Sequence, residues 1–573
     1  MSCSRTGLVA WIAGSFAGTV WAGTPGEVEQ CPLPPAGSSV DQPPELSSVH
    51  GVLRSDLTIY GYRPAGGGAA RYCYRTPGGA LAPTLRVHPG DRVVLRLSNR
   101  LDATGDVAGG AMPSMPHHHA AGEDPCARGA MMPLATNLHF HGMTMPPVCH
   151  QDEVLNTAVV PGDPPFEYRF TVPRDEPPGL YWYHPHIHGS SNAQVTGGAS
   201  GAIIVEGLER AIPEVAGLPE RLFVLRDPVL MHPDAPPSKS EPVVPAAILD
   251  PDGEIANNNT GYGKPARDLS INFVPVPYPD YPPARIRMRP GERQLWRVLN
   301  AAALTYVHLT LLYDQAPQDL GVVAIDGVPV DFGDLHAPHV KVVDHLVIPP
   351  GSRAEFIVQG PRAGVDAQLV TRMVNTGPAG ENDPNRPIAR IEAAPDAPEP
   401  PQLPPPGAPA PTATHPWVGN VAPVRVRRLY FSERPSNPDD PKSPTAFFLT
   451  VDGQAPKAFD PADGPNIVVH QGDVEDWIIE NHSQELHDFH IHQLHFQLRQ
   501  WYGIEVDEPF LRDTVSVPFF NREMNAYPSV RVRMDFRDPN AVGTFVYHCH
   551  LLEHEDGGMM GTIRVEPRQA EPR

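Results

Sequence analysis

Three times along the chain, apolar residues alternate with polar ones, stop at a glycine followed by an acid, resume alternating and end at an asparagine. The first copy runs through Leu85, Val87, Gly90, Asp91, Leu95, Leu97 and Asn99. The second runs through Ile286, Met288, Gly291, Glu292, Trp296, Val298 and Asn300, and the third through Val469, Gly472, Asp473, Trp477, Ile479 and Asn481. In every copy the glycine stands nine positions before the asparagine (99 − 90, 300 − 291, 481 − 472). Residues two apart share a face of a strand, so each copy predicts two strands around a tight turn. Three copies in register predict three related β-domains, near 45–208, 215–395 and 415–570. Between the last two, Pro398, Pro400, Pro401, Pro404, Pro405, Pro406, Pro409 and Pro411 predict a semi-rigid linker over 396–414. A second repeat joins only the outer domains: Gly179, Tyr183, His184 and His186 match Gly543, Tyr547, His548 and His550. The middle domain lacks such a His pair, so its expected part is architectural.

Composition agrees with an all-β chain. Among 573 residues, 72 prolines and 50 glycines with only 19% charged residues favour short strands and punctuated turns over long helices. With 44 Lys and Arg against 66 Asp and Glu, the net charge of −22 repels phosphate and anionic lipid, so no nucleic acid partner is expected. Arg5, the mostly apolar stretch from Leu8 to Val20 and the small-residue end at Ala22 read as an export signal over 1–22. That stretch is too short to span a bilayer, and no later one is long enough, so no membrane span is expected. A twin-arginine pair is missing, and the expected destination is periplasmic or secreted. Cys31, Cys73, Cys126 and Cys149 then allow one or two disulfides in an oxidising compartment, with free buried thiols as the alternative.

The chemistry sits in four short segments. These are His139-Phe140-His141, His184-Pro185-His186, the run from His487 through His490 to His492, and His548-Cys549-His550 followed by His554 and Met559. On a strand each His-x-His pair turns two imidazoles to one side. Eight paired histidines exceed the needs of one ion and imply a cluster clasped between the first and third domains. Two histidines, one thiolate and one weak thioether, from His487, His554, Cys549 and Met559, form the donor set of a blue copper site rather than a zinc site. The same alternation turns Cys549 away from His548 and His550, which gives a short covalent route between the two metal regions.

At these residues the chain closely resembles the multicopper oxidase family, bacterial and laccase-like, over nearly all of its length. The resemblance implies three cupredoxin-like Greek-key domains, each a β-sandwich or barrel, and four copper ions. It assigns His487, Cys549, His554 and axial Met559 to a type 1 copper, and His139 and His490 to type 2. His141, His184, His186, His492, His548 and His550 would hold a type 3 pair. It also implies a mechanism in which four one-electron oxidations of a reductant are coupled to reduction of O2 to water. Glu555 matches the family's proton-supplying acid, and Asp152 is a second candidate for that role or a solvated loop carboxylate. Phenolic or aromatic reductants come first, with oxidation of Cu(I), Mn(II) or Fe(II) as the alternative. Met112, Met115, His117, His118, His119, Met131 and Met132, near 109–132, with Met143 and Met145, would suit cuprous ions or form an incidental insertion. Glu485 and Asp488 beside His487 would hold a metal substrate, accept a phenolic proton, or merely be solvated. A copper-free envelope protein and a nitrite reductase built on the same domains are the readings from other classes.

Overall fold

The structure, a computed structural model, describes residues 29–64, 68–102, 124–127, 134–237, 242–244, 246–330, 339–405, 417–440, 442–506 and 508–568. The expected export signal and most of the Met- and His-rich segment lie outside these residues. Within them the chain is almost all strand, and its α-helices are three short ones, Ser191–Thr196, Leu208–Ala211 and Leu552–Asp556. The strands form six sheets. Sheets of five and four strands use residues from Glu45–Ser47 to Gly201–Val205, and sheets of eight and six use Glu220–Arg226 to Arg386–Ala393. The last two, of six and five strands, use Arg425–Pro435 to Met560–Glu566.

Each copy of the repeat departs from the expected pair of neighbouring strands. Thr84–Val87 and Arg92–Arg100 belong to different sheets, as do Ala284–Met288 and Arg293–Asn300, and Ile467–His470 and Val474–Asn481. The turn therefore carries the chain from one sheet to the other. Gly90, Gly291 and Gly472 have φ of 91°, 72° and 103°, the left-handed region that a side chain resists, and this is why glycine recurs there. The asparagine that closes each copy is a clamp. Asn99 Nδ2 donates to the carbonyls of Leu134 and Val159, Asn300 Nδ2 to those of Thr305 and Ile348, and Asn481 Nδ2 to those of Glu485 and Val517. All three are buried, and each satisfies its amide by bonding two backbone carbonyls from separate segments.

Three large apolar clusters fill the space between paired sheets, around Tyr168 and Phe170, around Trp296 and Phe356, and around Trp477 and Phe489. Met143 and Met145 are buried in the first of these, so they serve as packing rather than as exposed soft ligands. The described part of the proline-rich segment is no free spacer. The carbonyls of Pro401 and Pro404 accept from Glu220 and Gly217, and Leu403 N–H donates to Leu218 O, so the segment lies along 217–220. Proline lacks the N–H but keeps the carbonyl, which suffices for one-sided pairing. The four remaining cysteines pair as Cys31–Cys73 and Cys126–Cys149.

Candidate metal centres

Strands His487–Ile491 and Gly543–Cys549 run antiparallel, with Phe489 opposite Cys549 and His490 opposite His548. Alternation sends Cys549 to one side and His548 to the other. On the first side, Cys549 Sγ lies 3.6 Å from His487 Nδ1 and 3.8 Å from His554 Nδ1, and the two nitrogens are 3.2 Å apart. A triangle of that size seats an ion with bonds of about 2 Å at its centre. All three side chains are fully buried. Burial pushes the Cys549 thiol pKa up, so only a cation makes the thiolate favourable there; the Asp488 N–H, 3.5 Å from Sγ, assists. Met559 shares the apolar cluster of Cys549, and its carbonyl accepts from Cys549 N–H. Neighbouring Met560 packs elsewhere, with Val154 and Val546.

On the other side the eight paired histidines meet. His139–His141 lies beside His184 in one sheet, and His490 beside His548 in another. His139 stacks on His492 with centroids 3.7 Å apart, and His141 on His490 at 3.9 Å. His548 Nε2 is 3.3 Å from Nε2 of both His186 and His492. Outward nitrogens are anchored. Nδ1 of His184 donates to Pro185 O, that of His490 to Asp513 O and that of His548 to Cys549 O, at 2.8–2.9 Å. His139 Nδ1 meets Asp152 at 3.0 Å, and His141 Nε2 meets Asp513 Oδ1 at 3.1 Å. The inward atoms, including His139 Nε2, His141 Nδ1, His184 Nε2 and His490 Nε2, are buried and make no hydrogen bond. Burial pushes all eight pKa values down, to about 3 for His184 and about 4 for His548, and repulsion between the imidazoles adds to this for every one but His548. Neutral imidazoles with orphaned lone pairs converging on one space fit a group of metal ions and little else.

The surrounding acids correct several expectations. Asp152 is buried, not solvated, and is occupied in orienting His139, the Phe140 N–H and Gln493. Glu555 is fully buried with Oε2 3.2 Å from His548 Nδ1 and Oε1 3.7 Å from His186 Nε2; burial first, and then the neighbouring Asp556 carboxylate, push its pKa up. Glu485 and Asp488 are buried too, and their carboxylate oxygens lack hydrogen-bond partners. Glu485 Oε1 stands 3.5 Å and Asp252 Oδ2 3.6 Å from His554 Nε2, and Glu433 Oε1 stands 2.8 Å from His487 Nε2. Asp252, Glu433 and Asp513 had no motif to mark them. Nor had Arg353, which brings the middle part of the chain into the site by bonding Asp513 with both terminal nitrogens, at 2.9 and 2.6 Å. Asp556 ties the outer parts together by accepting from the N–H groups of Gly189, Ser191 and Asn192.

Six paired sheets that bury one Cys/His triangle and one eight-histidine assembly define a metalloprotein of the all-β class. Comparison with known proteins narrows this. Two multicopper oxidase family models match residues 130–210 and 435–569, the stretches that carry the histidine segments. A multicopper oxidase of Staphylococcus haemolyticus is 22% identical over 498 residues, 85% of this chain and 83% of that one. One from Staphylococcus aureus is 34% identical over 97 residues, which span 16% of this chain and only 20% of the relative. Among solved structures, the Campylobacter jejuni multicopper oxidase, described as a metallo-oxidase, superposes with a TM-score of 0.63 at 22% identity, covering 95% of this chain and 98% of that one. The chain belongs to the multicopper oxidase family, copper-dependent oxidoreductases that use O2, and its fold is cupredoxin-like.

Proposed function

We propose that the chain oxidises a metal cation, Fe(II) or Mn(II), at the His554 edge and delivers the electrons to O2 at the eight-histidine assembly. Four coppers are the fitting complement: His487, Cys549, His554 and Met559 would hold type 1, His139 and His490 type 2, and His141, His184, His186, His492, His548 and His550 the type 3 pair. Bound there, copper supplies the one-electron redox chemistry that side chains lack. Cys549 joins the two sets, because its backbone runs directly into His548 and His550. Glu555 would keep a proton on Oε2 within reach of the assembly, while Asp152 holds His139 in one tautomer.

The observation that favours a cation over a phenol is the carboxylate edge. Asp252 and Glu485 approach His554 Nε2, and both His487 and His554 are fully buried, so carboxylates rather than an open imidazole edge meet the incoming reductant. Burial first, and then neighbouring carboxylates, raise the pKa values of Glu485 and Asp252, and that of Asp250 to about 8. An incoming cation must displace those protons, so binding strengthens as pH rises. This reading puts the cation ahead of the phenols that the sequence placed first. Disulfides Cys31–Cys73 and Cys126–Cys149 support an exported protein.

The test is oxygen uptake by copper-loaded protein with Mn(II), Fe(II) and a simple phenol, repeated with Asp252→Asn and Glu485→Gln. We expect kcat/KM for the cations to fall by roughly tenfold or more in each variant, a loss of at least about 1.4 kcal/mol, with phenol turnover little changed. KM for Mn(II) should fall between pH 6 and 8. Phenol as the better substrate, with cation turnover indifferent to both variants, defeats the cation reading and leaves the oxidase reading intact.

A further inference from the structure

A cleft of about 730 Å³, with no donor histidine in its walls although its segment 253–255 follows directly on Asp252, is lined by the end of strand Glu220–Arg226, by Gly197 and Gly198, by segments 228–233 and 253–255, and by Phe273. Its charge runs against that of the chain. Arg71, Arg226, Lys264 and Arg267 line it against one carboxylate, Glu254; Arg71 already pairs with Glu29 at 2.6 Å and Arg267 with Glu254 at 2.7 Å and Glu553 at 3.6 Å, which leaves Arg226 and Lys264 without a carboxylate among the described residues. Arg226 is the informative residue. It is 3% exposed; Nε donates to Ser200 Oγ and Nη2 to Ser200 O, both at 2.9 Å, while Nη1 has no partner among the described residues. Arg297, Arg353 and Arg386, buried to similar depth, each pair with at least one carboxylate, whereas none pairs with Arg226. The face of its guanidinium is instead covered by Phe273, with the ring centroid 4.0 Å away. Phe273 holds that place at φ 66°, a left-handed conformation costly for a bulky residue. Burial works against the charge, yet arginine stays protonated, so the cleft carries a standing positive charge that an anion would offset. A second donor, Arg267 Nε, is likewise buried and without a partner.

We propose that this cleft binds a small amphiphilic organic acid, its carboxylate on Arg226 Nη1 and its apolar body along Val229, Leu230, Met231 and Pro275. Charge-assisted bonding to a planar guanidinium suits a carboxylate, and the apolar walls exclude a bare inorganic anion as the preferred guest. No donor histidine lines the cleft, so the proposal stands whatever the reductant is.

Calorimetric titration of the copper-loaded chain with benzoate, hexanoate, benzamide and inorganic phosphate tests it. Benzoate and hexanoate should bind saturably, with dissociation constants on the order of 1 mM or tighter. Benzamide, isosteric but uncharged, should bind at least about tenfold more weakly, and so should benzoate to Arg226→Gln, since a lost charge-assisted bond is worth that much. Met231→Glu guards against a folding artefact. Met231 is 43% exposed, so the change places a negative charge on the cleft wall without opening a core, and it should weaken benzoate several-fold at an unchanged melting temperature. Non-saturating benzoate, equal affinity for benzamide, binding of phosphate alone, or wild-type affinity in Met231→Glu each overturns the proposal.

Discussion

Asp513→Asn tests whether the middle of the chain holds the histidine assembly in place. Asp513 is fully buried and accepts from Arg353 Nη1 and Nη2, His141 Nε2 and Thr514 Oγ1, at 2.9, 2.6, 3.1 and 2.8 Å. Asparagine keeps the shape but removes the charge and turns one acceptor into a donor facing Arg353 or His141. Arg353, itself fully buried, would keep its bonds to the carbonyls of Leu180, Gly351 and Asp326, but its one remaining carboxylate would be that of Asp326, whose Oδ1 is 3.8 Å from Nη1. Breaking a buried pair in this way costs about 3–5 kcal/mol, because one charge stays behind uncompensated. At roughly 2–4 °C per kcal/mol for a domain-sized unit, the melting temperature should fall by about 6–20 °C. His141 also loses the bond that fixes its tautomer, and such outer partners are worth about 10–100-fold in metal affinity. Differential scanning calorimetry and a copper-competition titration read the two effects. Arg353→Met should be similarly damaging alone, and the double variant should lose less than the sum of the singles, because both charges are then gone. A shift under about 2 °C with unchanged copper affinity, or strict additivity in the cycle, refutes the argument.

Gly351→Ala should reduce copper content and activity together, measured by metal analysis and oxygen uptake. Gly351 has φ 83°, and a Cβ there would stand 2.7 Å from His550 Nε2. Glu555→Gln keeps the shape and removes the acidic proton next to His548, so kcat should drop by about 10²-fold or more while copper content holds. Equal kcat would strip Glu555 of its proton role. Asn481→Ala releases the carbonyls of Glu485 and Val517, a cost of about 1–3 kcal/mol in a calorimetric melt, and should raise KM for a cation through displacement of Glu485.

The donors were legible because the chemistry of a metal site is written in residue types that local alternation can aim. His139 and His141, or His548 and His550, need only a strand to face together, and Cys549 between the latter must then face away. The repeat was legible as sequence but not as geometry. Alternation on both sides of Gly90 fits two neighbouring strands as well as one chain crossing between sheets, and only packing of the two apolar faces against each other decides for the crossing. The outer shell was illegible for a different reason. Asp252, Glu433, Arg353 and Asp513 are ordinary charged residues in ordinary strands and turns, and their function comes entirely from long-range approach, such as the 160 positions between Arg353 and Asp513.

That distribution of information explains why the middle of the chain, without one donor histidine, matters to both centres. The histidine assembly is made of two halves, each rigid within its own sheet, and nothing in either sheet fixes their separation. Beside the direct ties made by Asp556 and Asp152, Arg353 does so from the middle of the chain: it stays protonated and pairs with Asp513, which in turn orients His141 from the first half and presents its own carbonyl to His490 of the second. Asp227 repeats the logic nearer the thiolate, accepting from the N–H groups of Ala303, Leu304 and Thr305; Leu304 packs in the cluster of Cys549, and the Ala303 carbonyl accepts from Leu552 N–H two residues before His554. Removing a donor from either centre deletes one bond to a metal, whereas removing one of these carboxylates loosens the distance on which every such bond depends.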